Sequence, residues 1–280
     1  ISSKRLTKGA IMAARPHILI ITGYGLNCQE ESAAAFRMAG AGTVELIHLN
    51  DLISAPEKLG EAHLLMLIGG FSYGDHIAAG RAFAARLKHT LSQPFSSFVR
   101  EGGLILGVCN GFQILMKLGL LPATEGVIFS QTATITENIC GHFYDGWVNL
   151  KVNPGSPCIY TRGIDRLYLP ARHGEGRILF RDEAVFQEIK KNGQDVLHYT
   201  GPDGNPTEEF PYNPNGTAGG LAGLCDTTGR IFGLMPHPEA HILPWTHPLA
   251  LTRARIGEIP GKGEGLAIFI NAVDFIRRHL

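Results

Sequence analysis

The sequence lacks an excess of charge of either sign, since its 280 residues include 25 Lys and Arg residues and 25 Asp and Glu residues. A balanced charge gives no long-range positive field that would collect polyanions. We therefore predict that neither nucleic acid nor an anionic membrane surface is a partner.

Long hydrophobic runs are also absent. The most apolar stretches, residues 17–21, 64–68 and 104–108, are each interrupted within a few residues. A membrane-spanning helix needs about 20 predominantly apolar residues in succession. The composition, 44% hydrophobic and 18% charged, is typical of a globular protein, so the sequence predicts a soluble one.

Paired cysteines are missing as well. The cysteines are odd in number and scattered, and no C-x-x-C spacing indicates a zinc site or a redox pair. The five are Cys28, Cys109, Cys140, Cys158 and Cys225. We expect a reduced, cytoplasmic protein with no metal site.

The N-terminal residues 1–11, ISSKRLTKGAI, are basic and lack the apolar stretch of a secretory signal peptide. Because Met12 follows directly, we interpret these residues as a leader or tag remnant. We expect residues 12–280 to form a single domain.

Short apolar runs that end in glycine precede segments of helical character. Such a run is typical of a buried parallel strand that enters a turn and then a helix. The alternation predicts an α/β fold with a doubly wound, mostly parallel sheet, and ligand sites at the carboxyl ends of its strands. The runs are HILIITGYG at 17–25, LLMLIGG at 64–70 and LILGVCNG at 104–111, with helices predicted at 30–39, 80–91 and 111–118.

Beyond Leu120 the pattern changes to β-rich segments separated by Gly, Pro and Asn turns. These segments predict an antiparallel extension of the sheet. Strands are expected at 132–136, 147–152 and 166–171, a long loop at 201–220, a hairpin around 226–230 and a final helix at about 266–279.

The sharpest local motif is Gly107-Val108-Cys109-Asn110-Gly111, which lies where a predicted strand ends and a helix begins. This is the nucleophile-elbow pattern with Cys in place of Ser. Glycines flank the nucleophile because the neighbouring chain passes too close for a Cβ atom. The helix N-terminus favours the Cys109 thiolate, the form that attacks a carbonyl carbon. We predict that Cys109 is a nucleophile rather than a small buried hydrophobic residue.

A thiolate nucleophile needs a base to move its proton, and the base needs an orienting acceptor. The segment Met235-Pro236-His237-Pro238-Glu239 offers both. Its prolines keep the segment out of a helix, so that His237 and Glu239 can lie on one side of an extended turn. Alone, such a pair is usually solvated; combined with the elbow it indicates a base and its orienting group.

Acyl transfer also needs donors for the oxyanion. Backbone amides can come from Asn110, just after the nucleophile, and from the Gly69-Gly70-Phe71 turn. The same glycine pair is also common in tight turns without a ligand.

Five motifs carry a resemblance to a known family. In order they are IGGFSYGD (68–75), GVCNGFQIL (107–115), HGEGR (173–177), NPNGT (213–217) and GLMPHPE (233–239). Together, over about residues 17–239, they resemble the glutaminase subunit of phosphoribosylformylglycinamidine synthase, a class I glutamine amidotransferase of purine biosynthesis.

The resemblance implies a role for each matching residue. Cys109 would be the nucleophile, His237 the general base and acid, and Glu239 the group that orients His237. The oxyanion would be held by the amides of Gly70 or Phe71 and of Asn110. The pocket for the glutamine α-amino and α-carboxylate groups would be lined by Gln113, His173, Gly174 and Glu175.

The resemblance also implies partners. L-glutamine would be the substrate, with no cofactor in this chain, and ammonia would pass to a synthetase subunit that holds ATP, Mg²⁺ and formylglycinamide ribonucleotide. A small accessory subunit is a further possible partner. The sequence itself has no G-x-x-x-x-G-K-[ST] phosphate loop.

The sequence departs from the family pattern at a few positions. Ala240 stands where the family usually has Arg, residues 240–265 exceed the expected short linker, and His142 replaces a basic residue. These departures bear on a partner interface rather than on the chemistry.

Three alternatives stay open at this point. A cysteine α/β-hydrolase would share the elbow but would place its acid before its histidine, whereas Glu239 follows His237. The glutaminase subunit of another synthetase would share the triad. A non-catalytic scaffold would need none of the three side chains.

Overall fold

The computed structural model describes residues 15–258 and 261–280, and the predicted leader lies outside them. The strands are β1 His17–Thr22, β2 Thr43–His48, β3 Leu64–Leu67, β4 Leu104–Val108, β5 Ala133–Glu137, β6 Tyr144–Val152, β7 Arg166–His173, β8 Glu175–Phe180, β9 Asp195–Tyr199, β10 Leu221–Cys225 and β11 Ile231–Leu234. The helices are α1 Gln29–Met38, α2 Leu49–Ser54, α3 Lys58–Glu61, α4 Arg81–Arg100, α5 Asn110–Leu118, α6 Glu183–Lys191, α7 Ala250–Arg255 and α8 Leu266–His279.

The main sheet has the strand order β2-β1-β3-β4-β11-β10-β9-β6-β7. Strands β2, β1, β3, β4 and β11 run parallel, and the strands from β10 to β7 continue the sheet in antiparallel pairs. Strands β5 and β8 form a separate antiparallel pair. The predicted fold, a mostly parallel α/β sheet with an antiparallel extension, is confirmed.

Every residue of β3, β4 and β11 is buried, which explains why their sequences are continuous apolar runs. The crossover from β1 through α1 to β2 runs in the opposite direction along the sheet to the crossover from β3 through α4 to β4. Right-handed crossovers in opposite directions put their helices on opposite faces of a sheet. Both faces of the central strands are thereby covered.

Several elements differ from the sequence prediction. Helix α4 runs through Pro94 to Arg100, beyond the predicted end at residue 91, because Phe95 and Phe98 continue its buried face. Strand β2 was not predicted, since it is an edge strand and most of its residues are partly exposed. The final helix lies at Leu266–His279, as expected.

The long segment 240–265 forms short 3-10 turns and helix α7, with residues 259–260 outside the described part. His241 and His247 pack against Trp147, with ring centroids 5.0 and 5.7 Å from its ring centroid. The segment is therefore anchored to strand β6. It also carries exposed apolar side chains: Leu243, Trp245, Leu249, Leu251 and Ile256.

Among the helices of the described residues, none combines the length and the apolar character needed to cross a bilayer.

Candidate active site

Cys109 lies between β4 and α5, at the carboxyl edge of the parallel strands. Its backbone has φ 51° and ψ −108°, a region that non-glycine residues rarely adopt. Strain of this kind persists where the surroundings impose it, and it is frequent at active sites. The strained turn expected between strand and helix is present at Cys109, and its role as nucleophile stays a prediction.

The glycines around Cys109 have no room for side chains. A Cβ atom on Gly111 would lie 1.9 Å from the Leu67 carbonyl oxygen, and one on Gly107 would lie 2.8 Å from the Gly111 carbonyl oxygen. Strands β3 and β4 and helix α5 therefore meet through backbone contacts. This close packing fixes where the elbow presents Cys109.

The contact predicts an effect of Gly111→Ala on stability. Because the backbone of Leu67 must shift, we expect a loss of about 1–3 kcal/mol in the free energy of unfolding, measured by urea titration. Gly60→Ala is the matched control, since Gly60 lies in helix α3 and an added Cβ would meet nothing within 4 Å beyond its chain neighbours and the helix's own backbone. That control should be neutral or slightly stabilising. Equal stabilities of the two variants would contradict the packing argument.

His237 and Glu239 follow β11, the parallel neighbour of β4. The His237 Nδ1 atom lies 2.6 Å from the Glu239 Oε1 atom, and both side chains are buried. The backbone N–H of His237 donates to the Pro170 carbonyl oxygen at 2.8 Å. The extended HPE segment thus places an imidazole and its carboxylate partner beside the elbow.

Burial lowers the pKa of His237, but the negative charges of Glu239 and of the Cys109 thiolate outweigh burial, so that the pKa lies well above its ordinary value. The imidazole is therefore held in its protonated form when Cys109 is ionised. An imidazolium and thiolate pair is the reactive state of a cysteine nucleophile.

The Cys109 sulfur lies 3.6 Å from the Arg172 carbonyl oxygen of β7. The Nε2 atom of His237 is buried and has no hydrogen-bond partner among the described residues. With Nδ1 engaged by Glu239, this second nitrogen is available to exchange a proton with a reacting group.

The predicted oxyanion donors lie in the Gly69-Gly70-Phe71 loop and at the start of helix α5. The Phe71 N–H donates to the Gly25 carbonyl oxygen at 2.7 Å, whereas the Gly70 N–H has no acceptor within residues 15–258 and 261–280. Gly70 has φ +140°, and a Cβ on it would lie 2.6 Å from the same Gly25 oxygen. Asn110 opens α5, and the first amides of a helix lack acceptors within it. Gly70 and Asn110 are the free donors in this arrangement.

A hydrogen-bond network links the elbow to the loop before α4. The Asn110 Nδ2 atom donates to the Gln113 Oε1 atom at 2.8 Å and to the Asp75 Oδ1 atom at 3.1 Å. The Gln113 Nε2 atom donates to the Glu175 carbonyl oxygen at 2.6 Å, and the Glu175 carboxylate accepts from the Ala79 N–H at 3.2 Å. Gln113 and Glu175 thus lie together, and Gly174 directly precedes Glu175 on the chain.

His173 is also buried, and its Nδ1 atom lies 3.1 Å from the Asn138 Oδ1 atom. The pKa of His173 is lowered to about 3, mainly by burial and to a smaller extent by the neighbouring His237. The ring is therefore neutral. Its predicted contact with substrate stays a prediction, as do those of Gln113, Gly174 and Glu175.

Two polar residues near the site were missed by the sequence analysis. Asp75 is the last residue of the IGGFSYGD motif, and its carboxylate accepts a hydrogen bond from the Asn110 side chain. Its place in the motif could have indicated that it lies near the site. Cys28, directly before α1, lies beside His237 although the two are far apart in sequence. No spacing in the sequence could have placed it there.

Comparison with known proteins gives the family. The model of the CobB/CobQ-like glutamine amidotransferase domain matches residues 15–276. The chain is 41% identical over 273 residues to phosphoribosylformylglycinamidine synthase subunit PurQ of Methanococcus maripaludis, with 94% of this chain and 98% of the relative covered. The subunit of the same name from Dehalococcoides mccartyi is 43% identical over 260 residues, with 93% and 97% covered. The chain belongs to the PurQ family of glutamine amidotransferases.

A solved structure gives a further match. The chain matches one from the structure of PurLQS from Thermotoga maritima with a TM-score of 0.67 and 26% identity, over 94% of this chain and 99% of that chain. The predicted family, fold and enzyme type are confirmed. The alternatives of a cysteine α/β-hydrolase and of a non-catalytic scaffold are therefore set aside.

Proposed function

We propose that this PurQ-family chain hydrolyses glutamine at Cys109 and delivers the ammonia to a synthetase that makes formylglycinamidine ribonucleotide from formylglycinamide ribonucleotide and ATP. The observation that carries the proposal is that the strained Cys109 and the buried pair of His237 and Glu239, whose Nδ1 and Oε1 atoms lie 2.6 Å apart, follow the ends of adjacent parallel strands.

In the first half of the reaction, the Cys109 thiolate attacks the carbon of the glutamine side-chain amide. The tetrahedral oxyanion is stabilised by the amides of Gly70 and Asn110. His237, protonated beside Glu239, gives its proton to the departing nitrogen. Ammonia leaves, and a γ-glutamyl thioester on Cys109 remains.

In the second half, water attacks the thioester. His237, now neutral, takes a proton from the water as it adds to the carbonyl carbon. Collapse of the second tetrahedral intermediate releases glutamate and restores the thiolate. Each step uses groups of this chain, and neither step requires ATP or a metal ion here.

We place ATP, Mg²⁺ and the ribonucleotide on a separate synthetase subunit, with a small accessory subunit as a further partner. The matching chain from Thermotoga maritima belongs to a structure described as PurLQS. That description supports an assembly of this kind of chain with other subunits. Exposed aromatic and apolar side chains on the loops around the site offer a docking face: Tyr24, Phe71, Ile77 and Phe143.

Two of these residues link docking to the oxyanion loop. Tyr24 and Phe71 flank the backbone contact between the loops, where the Phe71 N–H donates to Gly25 and the Asn27 N–H donates to Gly69 at 3.2 Å. A partner that presses on both rings would bias the orientation of the Gly70 peptide. Near neutral pH most free ammonia is protonated to ammonium, which is not a nucleophile. An isolated subunit that hydrolysed glutamine freely would therefore waste the ammonia that it released.

The coupling gives a quantitative prediction. Glutamate release by the purified chain should rise about tenfold or more when synthetase, ATP and formylglycinamide ribonucleotide are added, because loss of one oxyanion donor costs about a hundredfold. The control omits the ribonucleotide while keeping the synthetase. Equal rates in all mixtures would show that the site is fully assembled in the free chain, and stimulation only by another synthetase with its own substrate would overturn the proposed pathway.

A further inference from the structure

Cys28 forms a buried cluster with the catalytic base and its carboxylate. One ligand atom from each of Cys28, His237 and Glu239 lies within 4.8 Å of the other two. The three residues are 7%, 4% and 1% exposed. They come from two places on the chain, since Cys28 lies just before α1 and the other two lie in the segment after β11.

The cluster has unused capacity to bind a ligand. The His237 Nε2 atom and the Glu239 Oε2 atom are both buried, and neither has a hydrogen-bond partner among the described residues. The Cys28 sulfur has one long contact, to the Asn27 Oδ1 atom at 3.5 Å. Buried polar atoms without partners are rare in folded proteins and call for a physical reason.

Gly69 keeps the thiol and the imidazole close together. A Cβ atom at this position would lie 3.0 Å from the Cys28 sulfur and 2.8 Å from the His237 Cε1 atom. Because glycine has no side chain, nothing separates the two groups. The Gly69 turn therefore serves the cluster as well as the oxyanion loop.

A thiolate, an imidazole and a carboxylate are the three ligand types that bind Zn²⁺ in proteins. Three protein ligands with one position left for water or another group are typical of a catalytic zinc site. Hard cations such as Mg²⁺ prefer oxygen ligands and would bind this set poorly. The chemistry of the donors thus selects a soft or borderline divalent cation.

We propose that Cys28, His237 and Glu239 form an inhibitory site for Zn²⁺ or a similar thiophilic cation. The inference rests on the proposed function, since the ion would act through the ring of the catalytic base. With an ion on one ring nitrogen of His237, the other nitrogen carries the ring's remaining proton and has no lone pair to accept another. The glutaminase would then be switched off by free zinc and restored by chelation.

Direct binding is tested in the Cys109→Ala background, where no catalytic thiol is present. Titration with Cd²⁺ should give the ultraviolet absorption of a cadmium thiolate. The band should persist in the further variant Cys140→Ala and be lost in Cys28→Ala and Cys28→Ser. Cys140 is the matched control because it lies outside the cluster. Circular dichroism of each variant verifies the fold.

Inhibition is tested in the chain that retains Cys109. Zn²⁺ should inhibit glutamate release, and EDTA should restore it. With each chain's rate expressed as a fraction of its own rate without zinc, Cys28→Ser should raise the half-inhibitory zinc concentration about tenfold or more over that of the unmodified chain. Unchanged inhibition in Cys28→Ser, or a cadmium band that depends on Cys109 instead of Cys28, would overturn the metal site. Failure of the proposed function would be seen separately, as glutaminase activity that survives Cys109→Ala.

Discussion

Replacing Cys109 by alanine should reduce glutamine hydrolysis by at least about a thousandfold, because removal of one member of a catalytic triad removes nearly all the catalysis that the triad provides. The measurement is steady-state glutamate release with the synthetase present, so that the site is tested in its active state. The fold should be unaffected, since alanine occupies less space than the thiol at a position that already has room for the Cys109 Cβ atom.

A glutamine-mimicking electrophile provides an independent check of this assignment. Diazo-oxo-norleucine should label the chain at Cys109 alone, as read by peptide mass spectrometry. The matched comparison is Cys140→Ala, which should be labelled and should hydrolyse glutamine at the normal rate. Labelling mainly at Cys28, Cys140, Cys158 or Cys225 would refute Cys109 as the nucleophile.

His237→Ala should be almost as damaging as the loss of Cys109, because without the base neither ammonia release nor thioester hydrolysis has a proton carrier. The loss should appear in kcat, while the KM for glutamine changes little, since His237 acts on the reacting atoms. A variant that retained more than about a tenth of the activity would be inconsistent with a unique base.

Glu239→Gln should be milder, since a neutral amide can still accept the hydrogen bond from Nδ1 at 2.6 Å. Its pH dependence carries the sharper test. Burial lowers the pKa of His237 and the charge of Glu239 raises it, so removing that charge should lower the pKa. The alkaline limb of kcat/KM, where the imidazolium loses its proton, should therefore move to lower pH. An unmoved limb would show that Glu239 does not set the charge state of His237.

Much of the fold could be predicted from the sequence because its central strands are buried on both faces. Strands β3 and β4 stand out as continuous apolar runs that end in glycine. The same reasoning missed β2, an edge strand with most of its residues partly exposed, and ended α4 too early. Pro94 has no amide hydrogen to donate, yet the buried Phe95 and Phe98 hold the last turns of that helix in place.

For the candidate site, sequence proximity decided what could be predicted. Cys109 with Asn110, and His237 with Glu239, are local motifs whose side chains the fold brings to one edge through the pairing of β4 with β11. Cys28 lies beside the same residues but belongs to a loop that contains no recognisable motif. The bond from the Phe71 amide to Gly25 likewise depends on two loops meeting. Contacts of this kind arise from tertiary packing, which a single sequence does not reveal.

The pairing of β4 with β11 also sets how long the catalytic geometry survives. The backbone amide of Cys109 donates to the Leu234 carbonyl oxygen at 2.9 Å, so the proposed nucleophile is tied to the strand that leads to the proposed base. Amides in buried central strands exchange with solvent mainly when the whole protein opens, whereas surface loops open locally at little cost. The nucleophile and base should therefore stay aligned until the molecule unfolds as a unit. We expect the loop of Gly25 to open and close many times within that lifetime, so that the proposed partner would change the rate without loosening the site.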